Sequence, residues 1–299
     1  MPVSKKPRKK RSTTKTTTAS STARALPDRR SMESFMAQLG GRKLDSTLAQ
    51  AQDVMYEAFD APTQKRRVAL AQKALGISPL CADAYVMLAE EAATSIEECH
   101  GFYAKGVEAG ELALGKRAFV DDVGYFWGLL ETRPYMRARA GLAQALWALE
   151  KRDEAIAHYQ DMLRLNPNDN QGIRYLLAAC LLEVGDDDAL EALLHAYDED
   201  GTAEWAYSKA LLAYRKAGDT GETRKLLSEA WDANSHVPAY LIGKKKLPKT
   251  LPDYISIGGE DEAVSFAHHA GPAWRQTKGA IGWLEQTVAQ LPRPEATRH

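Results

Sequence analysis

Three successive stretches of this chain carry similar residue types 34 positions apart, and that period limits the fold more than any other feature. Leu142, Leu176 and Ala210 fall in register, as do Ala155, Ala189 and Thr223, then Tyr159, Leu193 and Leu227, and finally Pro167, Gly201 and Ser235. Small residues recur where two helices must approach closely, and large ones where a gap must be filled. In EAIAHYQDMLRLNP the apolar positions Ala155, Ile156, Tyr159, Met162, Leu163 and Leu165 are mostly three and four apart, the spacing of an amphipathic helix. Pro167 disfavours helix at Asn166 and ends it. Upstream, Tyr135, Ala138, Leu142, Ala145, Leu146 and Leu149 repeat the same spacing. Only a short break at Lys151–Asp153 separates the two helices, so they must run antiparallel. EVGDDD (183–188) and KAGDTG (216–221) supply the corresponding turns later.

Thirty-four residues is the tetratricopeptide period. Arg139 and Ala143 stand where that pattern has its first-helix Trp and Gly, so the match is degenerate. The expectation is an all-α, tetratricopeptide-like α-solenoid of antiparallel helix pairs, with units over 136–169, 170–203 and 204–237. Residues 44–61 and 66–95 read as earlier helices in looser register, with Pro79 as a stop. Residues 106–134 read as a longer helix or an ordered insertion. Beyond 237 the period is lost. The sequence predicts a loop anchored by Tyr240, Leu241, Tyr254 and Ile257, then a helical pair over 261–274 and 279–291. Residues 238–291 would form an atypical cap, because an array end must present a polar face.

The charge is divided. Residues 1–30 hold ten Lys or Arg against one Asp, a net +9, whereas residues 31–299 hold 29 against 39 acids, a net −10. With little to bury, residues 1–30 are predicted to be a disordered basic tail, residues 31–291 the helical-repeat domain and 292–299 a frayed end. KKPRKKR suits contact with nucleic acid, an acidic partner or anionic lipid, or a nuclear import signal; the alternative is a solubilising tail, one that could fold back on the acidic body, and no aromatic residue within the first 30 could stack on bases. Three scattered cysteines form neither a disulfide framework nor a zinc site. No apolar run approaches the roughly 20 residues of a membrane span. A cytoplasmic location is expected, or a nuclear one in a eukaryote.

A more specific likeness lies in CADAYVMLAEEAATSIEE (81–98), GVEAGE (106–111), NSHVPAYL (234–241), GGEDEAVSFA (258–267) and WRQTKGAIGWL (274–284). In order and spacing these segments resemble the suppressor of tumorigenicity seven family over about 60–290. The resemblance implies an all-helical, tetratricopeptide-like protein without established catalytic activity or transferable site residues. It also implies membrane-spanning segments ahead of this region in animal members, where this chain has its hydrophilic basic segment.

Catalytic constellations are wanting. Glu97 and His100 form a single E-x-x-H, half of what a di-iron bundle needs. His268 and His269 are adjacent and diverge on a helix. The run from Asn166 has Leu177 where a calcium loop needs Glu. Cys180 in LLAACLLEV reads as core. No enzyme activity, cofactor or metal is therefore expected, and the function predicted is a scaffold for a protein or an acidic peptide. The first helix of each unit should line the concave side with positions 2, 5, 9, 12 and 13. That rule selects Arg137, Gln144 and Trp147, then Gln171 and Arg174, then Trp205, Ser208, Leu212 and Arg215. The candidate partner-binding set is Arg137, Gln144, Gln171, Arg174, Trp205, Ser208 and Arg215, since arginine pairs bidentately with carboxylates and Trp offers area at low entropy cost. A pocket is expected at ETRPYMRAR (131–139). The alternative function is a nucleic-acid-associated adaptor using the basic arm.

Overall fold

The structure, a computed structural model, describes residues 45–252 and 254–292. The predicted tail disorder and the frayed end from residue 293 onward lie outside them. Every regular element among the described residues is an α-helix. Five antiparallel pairs follow one another: α1 (Ser46–Phe59) with α2 (Gln64–Ile77), α3 (Ala82–Glu91) with α4 (Ile96–Asp121), α5 (Arg133–Ala148) with α6 (Arg152–Leu165), α7 (Ile173–Val184) with α8 (Asp187–Ala196), and α9 (Ala203–Ala217) with α10 (Gly221–Ala233). Four shorter helices close the chain: α11 (Val237–Leu241), α12 (Glu260–His269), α13 (Gly271–Gln276) and α14 (Ala280–Val288).

Local chemistry explains the boundaries. Asp45, Thr63, Ser95, Asp186, Thr202 and Thr220 each accept a backbone N–H in the first turn of the helix they precede. Gly185 ends α7 in the left-handed conformation (φ 77°), and the N–H groups of Gly185 and Asp186 both donate to the Leu181 carbonyl. The first clear unit puts Glu150 (φ 61°) at its turn, where glycine would be easier. The α5–α6 connection is 149–151, two residues earlier than the predicted break.

The long helix α4 is broken at Gly115 (φ 70°, ψ 160°). Residues 122–132 then form an ordered insertion: Gly124 and Phe126 donate N–H to the Leu165 carbonyl at 2.9 and 3.3 Å, and the buried Thr132 hydroxyl bonds the carbonyls of Phe126 and Leu129. Phe119, Phe126 and Tyr135 pack with ring centres 5.1–6.0 Å apart. Thr132, Tyr135 and Met136 are therefore core, and 131–139 is filled where the sequence had suggested a pocket. Gly141 carries the tightest helix approach. A Cβ there would sit 2.1 Å from the Tyr103 ring.

The C-terminal region departs most from expectation. The predicted helix 261–274 is two, α12 and α13, because Pro272 has no N–H to continue the ladder past Ala270. Of the four predicted loop anchors, Leu241 is buried, but Tyr254 and Ile257 are 87% and 75% exposed. The loop is held by polar contacts instead: Tyr240 and Lys245 both donate to Glu260, and Gly258 N–H donates to Glu262 at 2.8 Å.

Candidate functional site

The inward faces of α7 and α9 are covered by the chain's own C-terminal helices. Glu262 on α12 ties this cover down: its carboxylate accepts from Ala203 N–H at 3.0 Å and from Asn234 Nδ2 at 2.9 Å, besides Gly258. Phe266 and Trp274 pack on Tyr207 with ring centres 5.6 and 6.3 Å apart, and Tyr214 stacks on Trp283 at 4.5 Å. Each ring removes a large apolar area from water, so the cover is part of the core.

This cover changes the expected groove. Trp205 and Ser208 are wholly buried and Leu212 nearly so; none presents a side chain to solvent, a correction to their predicted placement. Arg215 is pinned beneath the cover, donating to Thr277 Oγ1 (3.0 Å), Asp187 (2.9 Å) and the Leu182 carbonyl (2.8 Å). Arg174 is held between Asp169 (3.1 Å) and Asp200 (2.8 Å), with its guanidinium 4.3 Å from the Tyr175 ring centre and 5.8 Å from that of Trp205. Burial raises the Asp169 carboxyl above its ordinary value. Burial also acts on Asp200, but donors led by Thr202 outweigh it and bring that carboxyl below its ordinary value. Arg137 makes a bidentate pair with Asp83, at 2.8 and 2.7 Å. The three arginines predicted to greet an acidic ligand are thus engaged in internal ion pairs. Gln144 is exposed on α5 and Trp147, half-buried, carries the Arg152 guanidinium 4.0 Å above its ring, apart from the remaining candidates.

One predicted residue does line an opening. Gln171 stands at a cavity of about 420 Å³ between the starts of α7 and α9, the helix α12 and the loop residues Ile255 and Ile257. Leu176, Phe266 and the two isoleucines make its walls mostly apolar, and Glu204, Glu262 and His269 add titratable groups. Two buried oxygens here, Gln171 Oε1 and Glu204 Oε1, have no hydrogen-bond partner. Burial, then the charges of Glu262 and Asp200, hold the Glu204 carboxyl well above the usual range. Burial, then His268, lowers His269 and favours its neutral form. A second opening of about 490 Å³ adjoins the first across Tyr175, Thr202 and Ile257, with Asp198, Glu199 and Asp200 along its side.

Glu204, Glu262, Ile255 and Ile257 were absent from the sequence-derived set. For Glu204 a signal existed, since it shares a helix face with Ser208 and Leu211 at i+4 and i+7, where an acid is out of place. For Glu262 there was none, because its partners lie up to 59 residues away. Among the described residues no group of three or more His, Cys, Asp and Glu could hold a metal, and no helix is long and apolar enough to cross a membrane.

The chain is 27% identical to the suppressor of tumorigenicity 7 protein-like of Gallus gallus over 272 residues, covering 82% of this chain and 49% of the relative. It is 28% identical to the ST7 homolog of Drosophila melanogaster over 276 residues, covering 83% and 51%. The chain spans about half the length of the curated relatives it matches. The solved structure of YrrB, described as a TPR protein with an unusual peptide-binding site, overlaps 67% of this chain and 91% of its own at TM-score 0.44 and 18% identity. The family described as ST7 protein matches residues 43–298, which include all five helix pairs and the covering helices, and this chain belongs to that family.

Proposed function

We propose that the chain is a non-catalytic interaction scaffold that takes a segment of a partner protein on the concave side of its helix pairs, at the cavity bounded by Gln171, Glu204 and Ile257. The carrying observation is the pairing of an apolar-walled opening with two buried oxygens that lack hydrogen-bond partners. An unmet buried acceptor costs about 1–3 kcal/mol, which a donor-bearing ligand would relieve. The exposed isoleucines at the rim add apolar area to bury on docking. The arginines favour an acidic peptide less, because a ligand would have to compete with Asp83, Asp169, Asp200 and Asp187 for them.

A photo-crosslinking residue placed at Ile257 tests this, with Val120 (75% exposed, on α4) as the control position. A discrete partner adduct is expected from position 257 that is lost when Leu176→Trp fills the cavity in a still-helical protein. Equal adducts from both positions, or none from 257, would remove the proposal.

A further inference from the structure

Glu204 is buried to 9% exposure at the start of α9, and its Oε1 has no hydrogen-bond partner. No ion pair reaches it among the described residues, and no lysine or arginine lines the cavity it borders. With no cation at hand, burial keeps Glu204 the neutral acid, which presents one O–H donor and one C=O acceptor. Gln171 borders the same opening and adds a second unmet acceptor, its Oε1. The neighbouring titratable groups are already engaged. Glu262 accepts from the N–H groups of Ala203 and Gly258 and from Asn234 Nδ2. Asp200 is paired with Arg174 and accepts from Thr202 N–H, and burial favours neutral His269.

Few ligand groups suit this inventory. A carboxylate or phosphate would add a like charge beside Glu262 in a poorly solvated space. An ammonium or guanidinium would enter without a free counter-charge. A purely apolar group would leave both acceptors unmet, and a hydroxyl has one donor for the two. A primary carboxamide carries two N–H donors and one C=O acceptor, the complement of Glu204 Oε1, Gln171 Oε1 and the Glu204 O–H. Leu176, Ile255, Ile257 and Phe266 wall the remaining space, so the amide must arrive among apolar neighbours. Ile255 and Ile257 are 57% and 75% exposed and carry that apolar surface outward, where residues flanking the amide can bury it.

We propose that the cavity bounded by Gln171, Glu204 and Ile257 selects its partner segment by one uncharged primary carboxamide, the side chain of a glutamine or asparagine flanked by aliphatic residues. This rests on reading that cavity as a binding site. Amide and acid form a cyclic pair, the amide N–H donating to Glu204 Oε1 and the Glu204 O–H donating to the amide oxygen. The second amide N–H donates to Gln171 Oε1.

The test titrates the full chain, labelled at its isoleucine methyls, with acetylated and N-methylamidated tripeptides followed by NMR. The peptides are Leu-Gln-Leu, Leu-Met-Leu, Leu-Glu-Leu and Leu-Lys-Leu, with propionamide as a free amide. Leu-Gln-Leu should shift the Ile255 and Ile257 methyls, and not that of Ile96 on α4, with a Kd in roughly the millimolar range. It should bind about tenfold or more tightly than the other four probes. Gln171→Leu and Glu204→Leu should each weaken it about tenfold. Glu204→Gln, which keeps an acceptor and offers an N–H donor in place of the O–H, should recover most of the Glu204→Leu loss. Glu191→Gln, at an exposed acid on α8, should change nothing. Should Glu204→Leu fail to fold, Gln171→Leu carries the same test. Equal binding of the Gln and Met peptides overturns amide recognition. Tightest binding by the Lys peptide, lost in Glu204→Gln, overturns the neutral acid and the proposal with it. Tighter binding by propionamide than by Leu-Gln-Leu overturns a partner segment as the source of the amide. A partner adduct from position 257 that persists through any of these failures leaves the scaffold reading standing, and loss of the adduct as well removes both.

Discussion

Substituting Arg137 by Met should be among the most damaging single changes on the concave side, and the reason lies in Asp83. Its carboxylate is 1% exposed and accepts two bonds from Arg137 (2.8 and 2.7 Å) and one from Gln52 Nε2 (2.8 Å). Removing Arg137 leaves a buried carboxylate with one neutral donor, a loss of about 3–5 kcal/mol. The converse change, Asp83→Leu, should cost less, about 1.5–3 kcal/mol, because the Arg137 side chain is 24% exposed and can turn toward water. The double variant should lie within about 1 kcal/mol of the parent, since replacing a buried pair by apolar groups is often neutral. Urea denaturation of the four proteins, followed by circular dichroism, gives the coupling energy directly. At an m-value near 3 kcal/mol/M, Arg137→Met should lower the midpoint by about 1 M or more. A loss below about 1 kcal/mol, or an Asp83→Leu loss larger than that of Arg137→Met, would refute the reasoning. Arg137 would then be a residue with energy to spare for a ligand.

Gly141→Ala should destabilise by about 1–3 kcal/mol, because the new methyl would sit 2.1 Å from a buried Tyr103 ring; a thermal midpoint unchanged within error would contradict this. Glu262→Ala removes the acceptor shared by Ala203, Asn234 and Gly258, so amide exchange over 255–276 should accelerate while α1 to α6 stay protected; uniform acceleration would show that the cover is not a separable unit. His158 has its pKa lowered first by burial and then by Arg139, whose Nε donates to Nδ1 at 3.1 Å. The unfolded chain therefore binds the proton more tightly than the folded one, and this contribution is lost as pH falls from the ordinary value of 6.5 toward the lower folded value. His158→Gln should flatten stability against pH in that window without abolishing its slope, since His269 is lowered too. An unchanged slope in a Tm-versus-pH series would oppose this assignment.

The helix pairs were legible because their cause is local. Apolar side chains three and four apart, a proline after Asn166, and the glycines at 185 and 218 act within a few residues, and a 34-residue period repeats the same solution. Even the insertion at 106–134 announced itself by breaking that period. Partner choice is another matter. Arg137 finds Asp83 across 54 residues and Arg215 finds Thr277 across 62, and separations of that kind leave no periodic mark. The sequence alone therefore settled that antiparallel helical pairs would stack, since each amphipathic stripe must be covered. Only the tertiary structure decided that α12 and α13 would cover the inward faces of α7 and α9, burying Trp205 and Ser208 and leaving Ile257 at the rim of the remaining cavity. The choice among possible covers depends on how distant surfaces fit and where buried polar groups find partners, and both are properties of the packed chain.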